Sequence, residues 1–498
     1  MAPSAPALDI RGLSVRYPLA ERDALEDISL AIEPGAFLSV AGRNGAGKST
    51  LALAAAGLLP RVVRATASGS ISVAGVAALD DGRDVAAVPA GLVLADPAVG
   101  LSGARATVRE EVAFGLENLG IERDAMDDPI DRALAALQID HLAERPPETL
   151  SGGEQQRVAI ASVIAMGLPL LVLDEAAAEL DAAATAALAD HLATVAREGV
   201  AILAAEHAAA VLERAERTLV LEDGIPVAFD APAAALAFPA LPASTPIDAA
   251  WDPGTRVEAT GIELSGVSYR YPSGVDALRE VTLSIEPGQA VAVVGGNGSG
   301  KSTLARALAG LLAPDAGSVI AGGPVGTLLQ DPREQLFGRT VERAVAFGPR
   351  NLGLPAAVVD HLAEAAITAA GLADRRRSNP HDLDLAARKQ VALAGVLAMD
   401  PAVLVLDEPT TGQDRPGLQR LEDVLRAARA AGRTIVAITH DLELAARAFD
   451  RVIVLRDGEV IGDGAPGTML APERADLLAS TGLRPVVTAE GRLADRNV

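Results

Sequence analysis

An α/β fold built twice, each time around a mostly parallel sheet covered by helices, is what this 498-residue sequence predicts. Three observations carry the prediction. Short apolar runs alternate with helical stretches through both halves. A glycine-rich turn joins a strand to a helix at 42–49 and again at 295–302. The run LVLDE recurs at 171–175 and 404–408, each time ending in paired carboxylates. Continuous apolar runs belong to strands buried on both faces, as in a parallel sheet, and the ligands of such sheets gather at the carboxyl ends of the strands.

Composition narrows the field. The length suits two to four domains. Half of the residues are hydrophobic and 2% are aromatic, which fits a helix-rich globular protein and not a disordered one. The net charge of −23 argues against general nucleic-acid binding, which needs clustered positive charge. The absence of cysteine excludes disulfides, thiolate metal sites and cysteine nucleophiles. Residues 1–10 lack the basic-then-apolar pattern of a secretory signal. The uncharged stretch 231–247 is interrupted by Pro232, Pro239, Pro242 and Pro246 and is shorter than the ~20 apolar residues of a spanning helix. The expectation is a soluble chain whose membrane role, if any, runs through partners.

The halves are a duplication. AGRNGAGKSTL at 41–51 matches VGGNGSGKSTL at 294–304, RYP at 16–18 matches RYP at 270–272, and IEPG at 32–35 matches IEPG at 285–288. The expected first domain is 1–229, the second 259–498, and the Ala/Pro-rich stretch 230–258 between them reads as a semi-rigid linker. The spacing between matched motifs shrinks after the glycine-rich loop, so the first half carries an extra surface segment within 60–84. Strands are expected at 37–41 and 290–294, helices at 51–59 and 304–312, and buried strands at 170–173 and 403–406.

Both glycine-rich turns fit GxxxxGK[ST], the phosphate-binding P-loop. The first supplies Gly42, Asn44, Gly45, Gly47, Lys48, Ser49 and Thr50; the second supplies Gly295, Asn297, Gly298, Gly300, Lys301, Ser302 and Thr303. Glycines let backbone N–H groups curl around phosphates, and the helix that follows points its positive end at the anion. Lys48 and Lys301 neutralise β/γ-phosphates, and Ser49 and Ser302 offer hydroxyls to Mg²⁺. Asp174 and Asp407 end apolar strands, where a carboxylate holding Mg²⁺ belongs. Glu175 and Glu408 follow immediately, placed to polarise a water at the γ-phosphate.

The motif LSGGEQQR at 150–157, between the first loop and the first Asp–Glu pair, resembles the signature of ABC-type ATPases. The resemblance covers nearly the whole chain, twice. It implies two tandem P-loop NTPase domains, each with a parallel sheet core and a helical subdomain, using ATP and Mg²⁺. It further implies that Ser151, Gly152, Gly153 and Glu154 serve the nucleotide of the opposite domain, in a head-to-tail pseudo-dimer made within one chain. By the same resemblance Tyr17 and Tyr271 stack on adenine, and His207 and His440 are the switch histidines at the γ-phosphate. Gln330 reaches Mg²⁺ and couples to the membrane partner, and Asp181 and Asp414 communicate across the dimer. His141, His191, His361 and His381 have no such context and take a structural reading.

The halves are unequal. Ala95 stands where the second half has Gln330, and the second signature region, LDLAARKQ at 383–390, has lost both glycines and carries Asp384 in place of the serine. A carboxylate there would repel a γ-phosphate, and Leu385 impedes close backbone approach. After its Asp–Glu pair the first half reads AAAELD and the second PTTGQD. Sorted by composite site, the losses fall on the one containing Lys48. The expectation is one hydrolytic site, with Lys301, Gln330, Asp407, Glu408 and His440, and one that binds ATP but turns over slowly.

The pattern TV…VAFG…NLG, in TVREEVAFGLENLGI at 107–121 and in TVERAVAFGPRNLGL at 340–354, is similar to the ATPases of energy-coupling factor transporters, as is TGLRP at 481–485. That resemblance implies a fused pair of ATPase subunits at the cytoplasmic face of the cell membrane. The partners would be an integral-membrane coupling protein, docking near 330–337, and a membrane substrate-capture protein for a vitamin or transition-metal ion. A fused sugar-type importer ATPase is the competing reading. A soluble ABC protein acting on ribosomes or DNA is disfavoured by the charge and by the Ala/Pro-rich linker.

Overall fold

The computed structural model describes residues 5–18, 20, 22–79, 88–150, 152–178, 180, 182–230, 260–272, 274–481 and 483. The chain divides into two compact units, Met1–Ala240 and Leu241–Val498. The expected linker lies almost wholly outside the described residues, as do Ser151 and Asp181.

In the first unit, β1 (Leu8–Arg16) and β2 (Leu25–Ile32) pair antiparallel and β3 (Phe37–Gly42) runs into the glycine-rich loop. The hairpin strands β4 (Thr66–Val73) and β5 (Val76–Ala77) extend the outer sheet to the order β2-β1-β4-β5. The inner sheet contains β6 (Ala90–Leu94), β7 (Leu170–Asp174), β8 (Ala201–Ala205), β9 (Arg217–Glu222) and β10 (Ile225–Asp230), in the order β10-β9-β3-β8-β7-β6. Its strands pair parallel, except that β10 returns antiparallel along β9. β7 and β8 are buried at every position. Alternate residues feed two cores: Leu171 and Leu173 pack toward the helices, Leu170 and Val172 toward the outer sheet. A fully buried leucine of this kind contributes about 1.5–3 kcal/mol.

The second unit repeats this plan. β11 (Ile262–Arg270), β12 (Asp276–Ile285) and β14 (Ala316–Ala321) form its outer sheet, while β13 (Ala290–Val294), β15 (Val325–Leu328), β16 (Val403–Asp407), β17 (Thr434–Ile438), β18 (Arg451–Arg456) and β19 (Glu459–Gly464) form its inner one. The inner order, β19-β18-β13-β17-β16-β15, matches the first unit strand for strand. Part of the expected extra segment of the first half is β5, after β4, whereas β14 leads directly into β15 in the second unit; residues 80–84 of that segment lie outside the described residues.

The helices start earlier than expected and end earlier, at Ala55 and Leu308 rather than 59 and 312. They run Lys48–Ala55 and Lys301–Leu308, beginning at the lysine because a left-handed glycine, Gly47 or Gly300, turns the chain directly into helical conformation. The helical subdomains also differ. Val108–Asn118 is one helix, capped by Thr107, whereas its counterpart is broken into Val341–Val345 and Phe347–Asn351. Pro349 accounts for the break: it lacks an N–H and its ring clashes with the carbonyl four residues back.

Candidate functional site

Strand register assembles each site. In the first unit Val40 on β3 and Asp174 on β7 both pair across from Ala205 on β8. In the second, Val293 and Asp407 both pair across from Ile438. The loop after β3, the carboxylates at the end of β7 and the histidine after β8 therefore gather at the carboxyl ends of neighbouring strands, and the second unit does the same.

Only glycine fits the base of each loop. Gly47 (φ 102°) and Gly300 (φ 99°) are left-handed, and a Cβ there would lie 2.5 Å from Ala24 O or 2.2 Å from Ala277 O. Each lysine folds across its own loop. Lys48 Nζ donates to Gly42 O (3.2 Å) and Arg43 O (3.3 Å), and Lys301 Nζ to Gly295 O and Gly296 O (both 2.8 Å). The result is a cationic group and the positive end of a helix at the same mouth, an arrangement suited to phosphate oxygens.

Beside each loop lies a cluster of oxygens. Ser302 Oγ is 3.2 Å from Asp407 Oδ1 and 3.4 Å from Gln330 Oε1. Hydroxyl, amide and carboxylate oxygens are the hard donors that Mg²⁺ takes, with substrate phosphates completing its shell. In the first unit Ser49 Oγ donates to Asp174 Oδ1 at 2.9 Å, and Ala95 supplies no side-chain oxygen. Among the described residues, no group of three or more His, Cys, Asp or Glu side chains could hold a metal ion by itself.

The glutamates share an unusual backbone. Glu175 (φ 53°) and Glu408 (φ 48°) are left-handed, and their amides donate to Ala205 O (2.8 Å) and Ile438 O (2.9 Å). Non-glycine residues in this region carry strain that persists where the surroundings over-determine the conformation. Burial, then the neighbouring glutamate, pushes Asp174 up to about 7 and Asp407 up to about 6. A divalent cation at these oxygens would draw both back toward the ionised form. Burial also works to raise both glutamates, but it is outweighed. The His207 hydrogen bond and Lys48 hold Glu175 below its usual range; His440 and Lys301 do so for Glu408.

The two histidines meet their glutamates differently. His207 Nε2 lies 2.9 Å from Asn44 Oδ1 and 3.3 Å from Glu175 Oε1. His440 approaches with Nδ1, 3.0 Å from Glu408 Oε2. Burial alone would push His440 down, but the Glu408 charge raises it above its ordinary value. Tyr17 and Tyr271 lie against the loop helices, their hydroxyls 3.2 Å from Thr50 Oγ1 and 3.1 Å from Thr303 Oγ1. Of the remaining histidines, His141, His361 and His381 are exposed, and burial pushes His191 down.

The signature regions also differ. Gly152 and Gly153 open the helix Gly152–Ala165, with Glu154 in its first turn. In the second unit Asp384 caps the helix Leu385–Ala398, its Oδ1 accepting the Ala387 amide at 2.7 Å. This carboxylate, which the sequence sets against a γ-phosphate, is engaged with the amide of Ala387. Asp414 likewise caps Arg415–Ala430 through the Gly417 amide at 2.8 Å.

Two residues were not singled out from the sequence. Glu206, the residue before His207, is 3% exposed and accepts the Ala177 amide at 2.9 Å. Burial, reinforced by the charges of Glu175 and Asp174, pushes it up to about 8. Thr439 occupies the matching place in the second unit. Lys389, 2% exposed, donates to the backbone carbonyl of Glu408. The signal for both was a charged residue where the other half has a neutral one.

Comparison with known proteins agrees with this geometry. The ABC transporter family matches residues 25–178 and 278–411. A protein of Methanosarcina acetivorans named as an ABC transporter ATP-binding protein is 30% identical, covering 98% of this chain and 90% of its own length. A second from that organism is 33% identical, covering 92% and 90%. Among solved structures, cbiO1 from Clostridium perfringens, part of the ABC transporter complex cbiONQ, is 31% identical, covering 45% of this chain and 94% of that one, with a TM-score of 0.40.

Proposed function

The chain belongs to the ABC transporter family, with two ATPase domains in tandem whose general activity is ATP hydrolysis coupled to transport, and from that premise we propose that its second-domain site carries most of the turnover. The observation that supports this most directly is the convergence of Ser302, Gln330 and Asp407 beside Lys301, with Glu408 held against His440. The first-domain site has Ala95 at the glutamine position.

In this reading Lys301 and the loop amides bind the β- and γ-phosphates of ATP. Ser302, Gln330 and Asp407 hold Mg²⁺, which when bound offsets the charge that builds on the phosphates. Glu408, ionised at neutral pH, orients and polarises the attacking water, and His440 fixes the carboxylate through Nδ1. Catalysis is then positioning and electrostatic stabilisation, as phosphoryl transfer requires. The domains pair head to tail, so that Ser151, Gly152, Gly153 and Glu154 complete the second-domain site. The capped helix after Asp384 offers the first-domain nucleotide much less. Glu408→Gln should abolish steady-state ATPase activity and Glu175→Gln should leave most of it; equal losses would sink the assignment.

The transport system is of the energy-coupling factor type in this reading, on the strength of the repeated TV…VAFG…NLG pattern. In this reading the chain works peripherally, on the cytoplasmic face, through an integral-membrane coupling protein and a membrane substrate-capture protein; no helix among the described residues is long and apolar enough to cross a membrane. The exposed, stacked rings of Phe337 and Phe347, 4.9 Å apart, support docking beside Gln330. Purification from detergent extract tests the reading: two small hydrophobic membrane proteins should accompany the chain, and recovery with ribosomes instead would reject it.

A further inference from the structure

Lys389 stands, by alignment of 383–390 with 150–157, where the first domain has Gln156. The two side chains go to different places. Gln156, fully buried, donates from Nε2 to Leu94 O at 3.0 Å, which ties its helix to the strand leading to Ala95. In the second domain the corresponding strand end is held from elsewhere: Gln335 accepts the Leu329 amide at 2.8 Å and donates to Thr327 O at 2.6 Å. Lys389 turns instead to the carbonyl of Glu408.

That carbonyl is also handled differently in the two domains. Glu175 O closes a turn by accepting the Ala178 amide at 3.0 Å, whereas the equivalent bond from Thr411 to Glu408 O is stretched to 3.4 Å. An ammonium is the stronger donor, since a charged donor makes a shorter and firmer hydrogen bond. Glu408 is left-handed at φ 48°, so its side-chain direction depends on what pins its peptide. The Lys389 charge is also felt by Asp407 and Glu408, lowering the proton affinity of both. A buried lysine is tolerated where it is paired in this way.

We infer that Lys389 is a positioning residue for Glu408: the second signature-type helix, unsuited to a phosphate, has become a brace for the carboxylate of its own domain. The inference rests on the reading of Glu408 as the group that activates water. Lys389 bonds the peptide behind that group, so its loss should appear in turnover and not in ATP affinity.

The test is steady-state kinetics on the full chain. Lys389→Gln, which installs the first domain's residue, is expected to lower kcat about tenfold while KM for ATP stays within about twofold. An unchanged kcat, or a KM rising in step with the loss, would each overturn the inference. Thermal melting checks that Lys389→Gln folds; Lys389→Met, closer in shape, carries the same expectations if it does not. Failure of the two-site assignment shows separately, in the comparison of Glu408→Gln with Glu175→Gln.

Discussion

The buried carboxylate of Glu206 accepts the amide hydrogen of Ala177 across 2.9 Å, fastening the end of β8 to the turn after Asp174 and Glu175. Its proton affinity is pushed up to about 8 from the ordinary 4.5, first by burial and then by its acidic neighbours. Between those values the folded chain holds a proton that the unfolded chain releases. Stability therefore falls as pH rises through that window, by on the order of 1.4 kcal/mol per unit at most, and levels off above it. Glu206→Gln should melt higher than the parent near pH 8 and show a flatter dependence below it. An unchanged slope in melting temperature against pH would remove Glu206 as its source.

Gly300→Ala is expected to destabilise the second domain and abolish nucleotide binding there. The left-handed φ alone costs about 1–2 kcal/mol, and the new methyl would collide with Ala277 O. Thermal melts and nucleotide titration of the full chain measure both effects. Binding at parental affinity would mean that the loop can open without distortion.

Asp384→Ala removes a helix cap and should cost about 1 kcal/mol, while Asp384→Ser, restoring the first domain's residue, should cost much less. Denaturant unfolding distinguishes them. Equal losses would show that the carboxylate acts through its 3.7 Å approach to Arg375 and not through the Ala387 amide.

Gln330→Ala should raise the Mg²⁺ concentration needed for half-maximal ATPase activity several-fold, roughly 1 kcal/mol for one lost oxygen contact. Titrating Mg²⁺ at saturating ATP gives the answer. A lowered maximal rate with unchanged Mg²⁺ dependence would assign Gln330 to coupling alone.

Phe337→Glu should weaken recovery of the membrane partners from detergent extract and leave basal ATPase activity of the free chain intact, because Phe337 is 55% exposed. Full recovery of the partners would place docking elsewhere.

The duplicated architecture was legible because its determinants are local: a strand, a glycine turn and a helix are written in consecutive residues, and both copies say the same thing. The helix starts were missed by a few residues because the left-handed glycines before Lys48 and Lys301 begin the helix ahead of its apolar stripe. Lys389 and Glu206 were opaque for a different reason. Each acquires its meaning only when a distant segment arrives beside it, the carbonyl of Glu408 in one case and the amide of Ala177 in the other. The role of Asp384 was half legible. The loss of the serine was plain, but the helix cap that replaces it shows only in the bond to Ala387.

The strand order shared by the two inner sheets, carried on one polypeptide, bears on assembly statistics. Two separately translated halves of such similar build would sort into three kinds of pair, two of them between identical copies. Covalent joining fixes their stoichiometry at one to one and gives each half a local concentration of the other on the order of millimolar. Sequence drift in one half can then proceed without poisoning a pool of mixed dimers, since every molecule made already contains the other.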